Sequence, residues 1–161
     1  MKKILLFLIA AFVIIQFFRP EKNISEASDV LKNDIATLYP VPNDVKKILQ
    51  TSCYDCHSNN TTYPWYSNFQ PVAWWLNHHV TDGKKHLNFN EFTSYRINRQ
   101  FKKLEEIVDE VKENEMPLSS YTLMHSEAKL DDAQKKLLMN WASSLRDSIK
   151  AKYPADSLLK K

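Results

Sequence analysis

Glycine and cysteine are the scarce residues of this 161-residue chain, which contains one glycine, Gly83, and two cysteines, Cys53 and Cys56. Sheet proteins use glycine freely in hairpins and bulges, so a single glycine argues against a β-rich fold. Hydrophobic residues make up 43% of the chain and aromatic residues 12%, which is enough to fill one core and argues against global disorder. These features predict an all-α fold.

The chain also lacks an excess of charge outside its first residues. Its formal net charge is +3, and without Lys2, Lys3 and Arg19 there are 19 basic residues against 19 acidic ones. A neutral domain lacks the basic surface that binds nucleic acid. We therefore expect no nucleic-acid partner.

One long apolar run, residues 4–18, follows two lysines at the N-terminus. Basic residues before an apolar run are typical of an export signal or a membrane anchor. No A-x-A cleavage pattern precedes Arg19, which favours an uncleaved anchor, although a helix of this length spans only about 22 Å of the roughly 30 Å of hydrocarbon. We predict that residues 1–19 are a signal peptide or inner-membrane anchor and that the exported domain faces the periplasm.

The remaining sequence divides into a tether, a domain and a tail. Residues 20–42 are polar and end in two prolines, which is typical of a tether. Apolar residues at three- and four-residue spacing predict helices within residues 43–150, and residues 151–161 form a polar tail.

Three helices of the domain can be located from local patterns. Pro71 opens one that is expected to end near Thr81, because Gly83 follows. The apolar face of the second is formed by Phe101, Leu104, Ile107, Val108 and Val111. Asp131 and Gln134 form a capping box before the last helix. The buried stripe of that helix is predicted to be Leu137, Leu138, Trp141 and Leu145.

Both cysteines lie in the stretch "SCYDCHSNN", where His57 follows Cys56 directly. A redox dithiol of the thioredoxin type needs its first cysteine at a helix N-terminus after a strand, whereas here a predicted helix precedes the motif. Zinc could be held by Cys53 and Cys56 with two histidines. The candidate histidines are His57, His79, His86 and His125. In C-x-x-C-H motifs, two thioethers attach a haem and the histidine binds its iron.

Covalent haem explains more of the sequence than the alternatives do. An export segment is consistent with c-type haem, and the aromatic-rich stretch "TTYPWYSNFQPVAWWLNHHVTDGKKHLNF", residues 61–89, offers an apolar lining. A second iron ligand is available in Met116, because the fixed φ of Pro117 restricts its loop. Either His79 or His86 could bind the iron instead.

Several motifs resemble the bacterial haem-binding domain family, which is similar to class I cytochrome c. They are "CYDCHSN", "YPWY", "EMPLSSYTLMH" and a closing L-x-x-W, within residues 43–145. The resemblance implies that Cys53 and Cys56 carry one haem c, with His57 as proximal ligand and Met116 as probable distal ligand. It also implies a cytochrome c-like helical fold whose first and last helices pack across each other.

The sequence therefore predicts a mono-haem c-type cytochrome that transfers single electrons between redox partner proteins, which favours an electron carrier over an enzyme. One alternative is a haem enzyme or sensor with a displaceable sixth ligand. The other is a zinc-binding interaction module that uses the same Cys and His residues.

Overall fold

The computed structural model describes residues 1–26 and 31–159, and within these ranges the regular structure is entirely helical. This confirms the all-α prediction. The α-helices are α1 (Lys2–Ile15), α2 (Asn43–Ser52), α3 (Tyr54–His57), α4 (Val72–His86), α5 (Ile97–Lys112), α6 (Ser119–Met124), α7 (Asp132–Lys152) and α8 (Ala155–Leu159). Short 3-10 segments cover Ile35–Thr37, Trp65–Asn68, Phe89–Ser94 and Ser126–Ala128.

The hydrophobic core is built around α5 and α7, which have the most extensive contact of any two elements. Both helices present apolar residues at three- and four-residue steps, so each buries one continuous stripe. The buried apolar residues of these helices are Leu104, Ile107, Val111, Leu138, Trp141, Ala142, Leu145 and Ile149. The predicted capping box of α7 is confirmed, since the Asp131 side chain accepts from the Gln134 N–H and the Gln134 side chain accepts from the Asp131 N–H. Helix α2 also contacts α7, so the first and last helices of the predicted domain touch.

The core extends past both ends of the predicted domain, residues 43–150. Ile35 from the predicted tether is fully buried, and Leu158 from the predicted tail is 7% exposed. Nearby, the Asp34 carboxylate accepts a hydrogen bond of 2.7 Å from the buried Asn90 amide. Parts of the flanking segments thus contribute to the packing of the domain.

Helix α4 continues through Gly83 to His86, so the prediction that it ends near Thr81 is wrong. At Gly83, helix α4 closely approaches helix α3. A Cβ atom built on Gly83 would lie 2.7 Å from the Cys56 carbonyl oxygen and 3.1 Å from the Cys56 Cβ. Only a residue without a side chain lets α4 pack this closely against the backbone of α3.

Helix α1 has no buried residue, yet its C-terminal end is bonded to the domain. The Gln16 side chain accepts from the Gln70 N–H at 2.9 Å and donates to the Gln70 carbonyl at 3.3 Å. Among the described residues, no helix has both the length and the apolar character that crossing a membrane requires. The membrane anchor stays a prediction.

Candidate functional site

The C-x-x-C-H motif forms a single helical turn directly after α2. The His57 N–H donates to the Cys53 carbonyl at 2.9 Å, which closes the turn. Residues at positions i, i+3 and i+4 of a helix share one face. The motif therefore presents Cys53, Cys56 and His57 to the same side.

That side faces a cavity of about 480 Å³, within the usual range for sites that hold small molecules and cofactors. Cys53, Cys56, His57 and Met116, the residues predicted from the sequence, all line it. The apolar residues of the remaining wall are Leu49, Leu87, Phe89, Ile107, Val111, Pro117, Leu118, Leu130 and Leu138. The fold thus brings one thiol pair, one imidazole and one thioether around a single, largely apolar space.

Helices α4 and α5 form two walls of the cavity, and each contributes a stripe at helical spacing. The α4 stripe includes His79, Gly83 and His86, while the α5 stripe includes Lys103, Ile107 and Glu110. The polar residues of both stripes are exposed or partly buried. The cavity is consequently lined by apolar residues together with charged and polar residues from α4 and α5.

His57 is oriented by two backbone carbonyls. Its Nδ1 atom lies 3.0 Å from the Gly83 oxygen and 3.0 Å from the Leu87 oxygen. Carbonyl oxygens only accept hydrogen bonds, so Nδ1 must carry the hydrogen, and the lone pair of the neutral ring is on Nε2. Burial lowers the pKa of His57, which favours this neutral form. A neutral imidazole whose Nδ1–H is bonded to backbone is the usual state of a histidine that binds a metal through Nε2.

The two cysteines are free thiols. Burial raises the pKa of Cys53 to about 12 and that of Cys56 to about 11, with the neighbouring Cys56 and Asp55 charges as the respective second causes. Both are therefore protonated at neutral pH, unlike the low-pKa thiolate of a redox-active dithiol. In the part of the chain that the structure describes, no three His, Cys, Asp or Glu residues are grouped to hold a metal ion.

Met116 reaches the cavity because the chain turns back after α5. Asn114 has a φ of 63°, a left-handed conformation that asparagine tolerates better than most residues. The N–H groups of Glu115 and Met116 then both donate to the Glu110 carbonyl, at 3.0 and 3.2 Å. This folds Met116 against the end of α5. By contrast, Met124 is 59% exposed.

His79 and His86 also line the cavity, so the distal ligand stays a prediction. His79 is not free of other contacts: its Nδ1 atom lies 2.8 Å from the Trp75 carbonyl, and its ring packs against the Trp75 indole at 4.2 Å. The His86 imidazole lies 3.8 Å from the Asp82 carboxylate and is largely exposed.

A polar network ties α6 to the motif turn. The Tyr121 hydroxyl donates to the Asp55 carboxylate at 2.7 Å, and its ring stacks on His125 with 4.5 Å between centroids. The His125 Nε2 atom lies 2.8 Å from the Tyr66 hydroxyl. Sequence reasoning missed Asp55, because it stands at a variable position of the motif and its partner lies 66 residues away.

The aromatic-rich segment after the motif, residues 61–89, lines the cavity only in part: Leu87 and Phe89 near its end belong to the wall, whereas its tryptophans do not. Trp65 is 75% exposed, Phe69 52%, Trp74 41% and Trp75 45%. The rest of the apolar lining comes from α2, α5, α7 and the segments that follow α5 and α6. These helices already bury apolar stripes toward the core, so they supply a lining without additional aromatic residues.

A comparison with protein families connects this geometry to a known group. No curated protein and no solved structure gives a significant match to the chain. The family model described as "Haem-binding domain" matches residues 10–144, a range that includes the motif turn and Met116. Since the match spans most of the sequence, this chain belongs to the haem-binding domain family.

Proposed function

We propose that this protein is a mono-haem c-type cytochrome that carries single electrons between redox partner proteins. The observation that carries the proposal is the meeting of the C-x-x-C-H turn and Met116 at one largely apolar cavity, in a chain of a haem-binding family. The donor set fits a covalently held haem: two adjacent thiols, a neutral histidine and a thioether.

Each of these residues has a distinct role in the proposal. Cys53 and Cys56 would form the thioether bonds, His57 would be the proximal iron ligand and Met116 the distal one. When bound, the haem supplies an iron that alternates between the ferrous and ferric states and so stores one electron. The carbonyls of Gly83 and Leu87 fix the His57 ring, and the apolar wall excludes water from the ligands.

The proposed location is the periplasmic side of the inner membrane, with residues 4–18 as the anchor. Support comes from the two lysines before an uncharged apolar segment, and from the attachment of c-type haem outside the cytoplasm. The alternative of a haem enzyme or sensor shares the same cavity and differs in the sixth ligand, because a displaceable ligand lets substrate or gas reach the iron.

The test is spectroscopy of protein matured in a host with haem-attachment machinery. With Met116 bound, the ferric protein should be low-spin, show the weak far-red band of methionine-to-iron charge transfer and resist azide, and the ferrous protein should resist carbon monoxide. Met116→Ala should remove that band, lower the reduction potential and admit both ligands. Met124→Ala is the matched control and should change none of these properties, because Met124 is exposed.

Histidine substitutions separate the remaining possibilities. A spectrum that changes in His79→Ala or His86→Ala, but not in Met116→Ala, would contradict the assigned distal ligand. A high-spin wild-type protein would contradict electron transfer as the main function and favour catalysis or sensing.

A further inference from the structure

Three exposed aromatic side chains lie just before and within the first turn of α4: Trp65, Phe69 and Trp74, hereafter the aromatic surface. They are 75%, 52% and 41% exposed. The rings of Trp65 and Phe69 contact each other edge to face, with 6.3 Å between centroids. Exposed tryptophan and phenylalanine side chains grouped in this way are uncommon on a monomeric protein and mark an interaction site.

Hydrogen bonds fix the aromatic surface to the end of the N-terminal apolar segment. The Trp74 indole N–H donates to the Phe18 carbonyl at 2.8 Å, and the Gln70 amide donates to the same oxygen at 2.9 Å. Gln70 is 2% exposed and also exchanges two hydrogen bonds with Gln16. The apolar segment therefore leaves the domain at a defined place, next to the exposed rings.

The same neighbourhood has the composition of a membrane interface. Helix α1 carries no charged residue after Lys3 and buries none of its side chains against the protein. Tryptophan is enriched at the boundary between lipid and water, because its ring is apolar while its N–H is polar. Arg19 directly follows the apolar segment and Lys22 comes three residues later, after Glu21, and the two cations suit the anionic phosphates of phospholipids.

We propose that the aromatic surface lies in the headgroup region of a phospholipid bilayer and holds the haem-binding domain against the membrane. This inference rests on the proposed membrane attachment of residues 4–18. A bilayer is favoured over a second copy of the chain, because one bilayer would contact both the apolar side chains of α1 and the exposed rings next to the end of α1. Helix α4 connects this surface to the cavity, since Trp74 and His78 are one helical turn apart and His78 lines the cavity wall.

The experiment is photolabelling of the full haem-loaded chain in vesicles of phosphatidylethanolamine and phosphatidylglycerol. A small fraction of the phospholipid carries a diazirine near its glycerol, and labelled peptides are identified by mass spectrometry after irradiation. We expect label in residues 4–18 and in residues 65–74. Residues 101–112 of α5 serve as the internal control and should remain unlabelled.

A double variant tests the aromatic side chains themselves. Trp65→Ser combined with Phe69→Ser should reduce the label in residues 70–74 about tenfold, because two exposed rings no longer enter the interface. Label in residues 4–18 should be unchanged. Leu123→Ser is the matched control, since Leu123 is 82% exposed but lies on α6, and it should leave the labelling pattern as in the wild type.

The possible results distinguish this inference from the attachment on which it rests. Label confined to residues 4–18 would overturn the aromatic surface as a bilayer contact and leave the attachment intact. No label in either segment would overturn both. An unchanged pattern in the double variant would also overturn the inference, and none of these outcomes affects the haem assignment.

Discussion

Replacing Gly83 by alanine should destabilise the protein, although the same change in most helices is stabilising. Alanine in a helix interior is favoured over glycine by about 1 kcal/mol. Here the new Cβ would lie 2.7 Å from the Cys56 carbonyl oxygen, and 3.1 and 3.3 Å from two further Cys56 atoms. Because these are main-chain atoms and a Cβ, no flexible side chain can move aside. Overpacking costs about 1–3 kcal/mol, and a 2.7 Å contact with a main-chain oxygen belongs to the upper part of that range, so we expect a net loss of about 1–2 kcal/mol.

The same substitution should disturb His57. The Gly83 carbonyl is one of the two acceptors at the His57 Nδ1 atom, and α4 must shift away from α3 to admit the methyl group. We therefore expect the yield of covalently attached haem to fall along with stability, since the histidine is less well oriented.

The assay is urea unfolding of the purified haem-loaded protein, followed by tryptophan fluorescence or far-ultraviolet circular dichroism. Thr81→Ala, an exposed position of the same helix, is the matched control and should change the free energy of unfolding by no more than about 0.5 kcal/mol. If Gly83→Ala is as stable as the wild type or more stable, the close approach of α4 to the motif turn is not a constraint and this reasoning fails.

Three further changes test individual interactions by the same unfolding assay. Asp131→Ala removes the capping box of α7 and should cost about 1 kcal/mol; no measurable loss would contradict its role. Tyr121→Phe removes the hydrogen bond to Asp55 and should cost about 1–2 kcal/mol; a variant as stable as wild type would show that α6 is held otherwise. Burial, with the Asp34 charge as second cause, raises the pKa of Tyr54 above its ordinary 10.0. The unfolded chain therefore loses the Tyr54 hydroxyl proton at a lower pH than the folded protein does. The contribution of Tyr54 to the free energy of unfolding is complete below about pH 10 and declines as the pH rises further. Between about pH 9 and about pH 11, the free energy of unfolding should decrease less in Tyr54→Phe than in the wild type. An equal decrease in both proteins would contradict this explanation.

Local sequence patterns predicted the helices and the motif turn because both depend on residues close together in the chain. The apolar stripes of α5 and α7 and the capping box at Asp131 each follow from three- and four-residue spacing. The C-x-x-C-H spacing likewise places Cys53, Cys56 and His57 on one face of a turn. These features needed no knowledge of the partner elements.

Features that depend on distant partners could not be predicted in this way. Gly83 was interpreted as a helix end, because its actual reason, the backbone of Cys56, lies 27 positions earlier. The aromatic-rich segment after the motif was assigned to the cavity because a haem needs an apolar lining, but only its later part, with Leu87 and Phe89, reaches the cavity, whereas Trp65 and Phe69 are exposed. Ile35 was assigned to a tether because its local sequence is polar, and only the folded structure shows it inside the core.

The central claim is that one haem is attached covalently to Cys53 and Cys56. The most direct test is mass spectrometry of the denatured protein after tryptic digestion, following maturation in a host with haem-attachment machinery. Residues 48–84 contain both cysteines in one tryptic peptide. We predict that this peptide carries the mass of one haem, and that Cys53→Ala combined with Cys56→Ala abolishes the addition. The unmodified peptide mass, or stoichiometric zinc in place of haem, would contradict the proposed function.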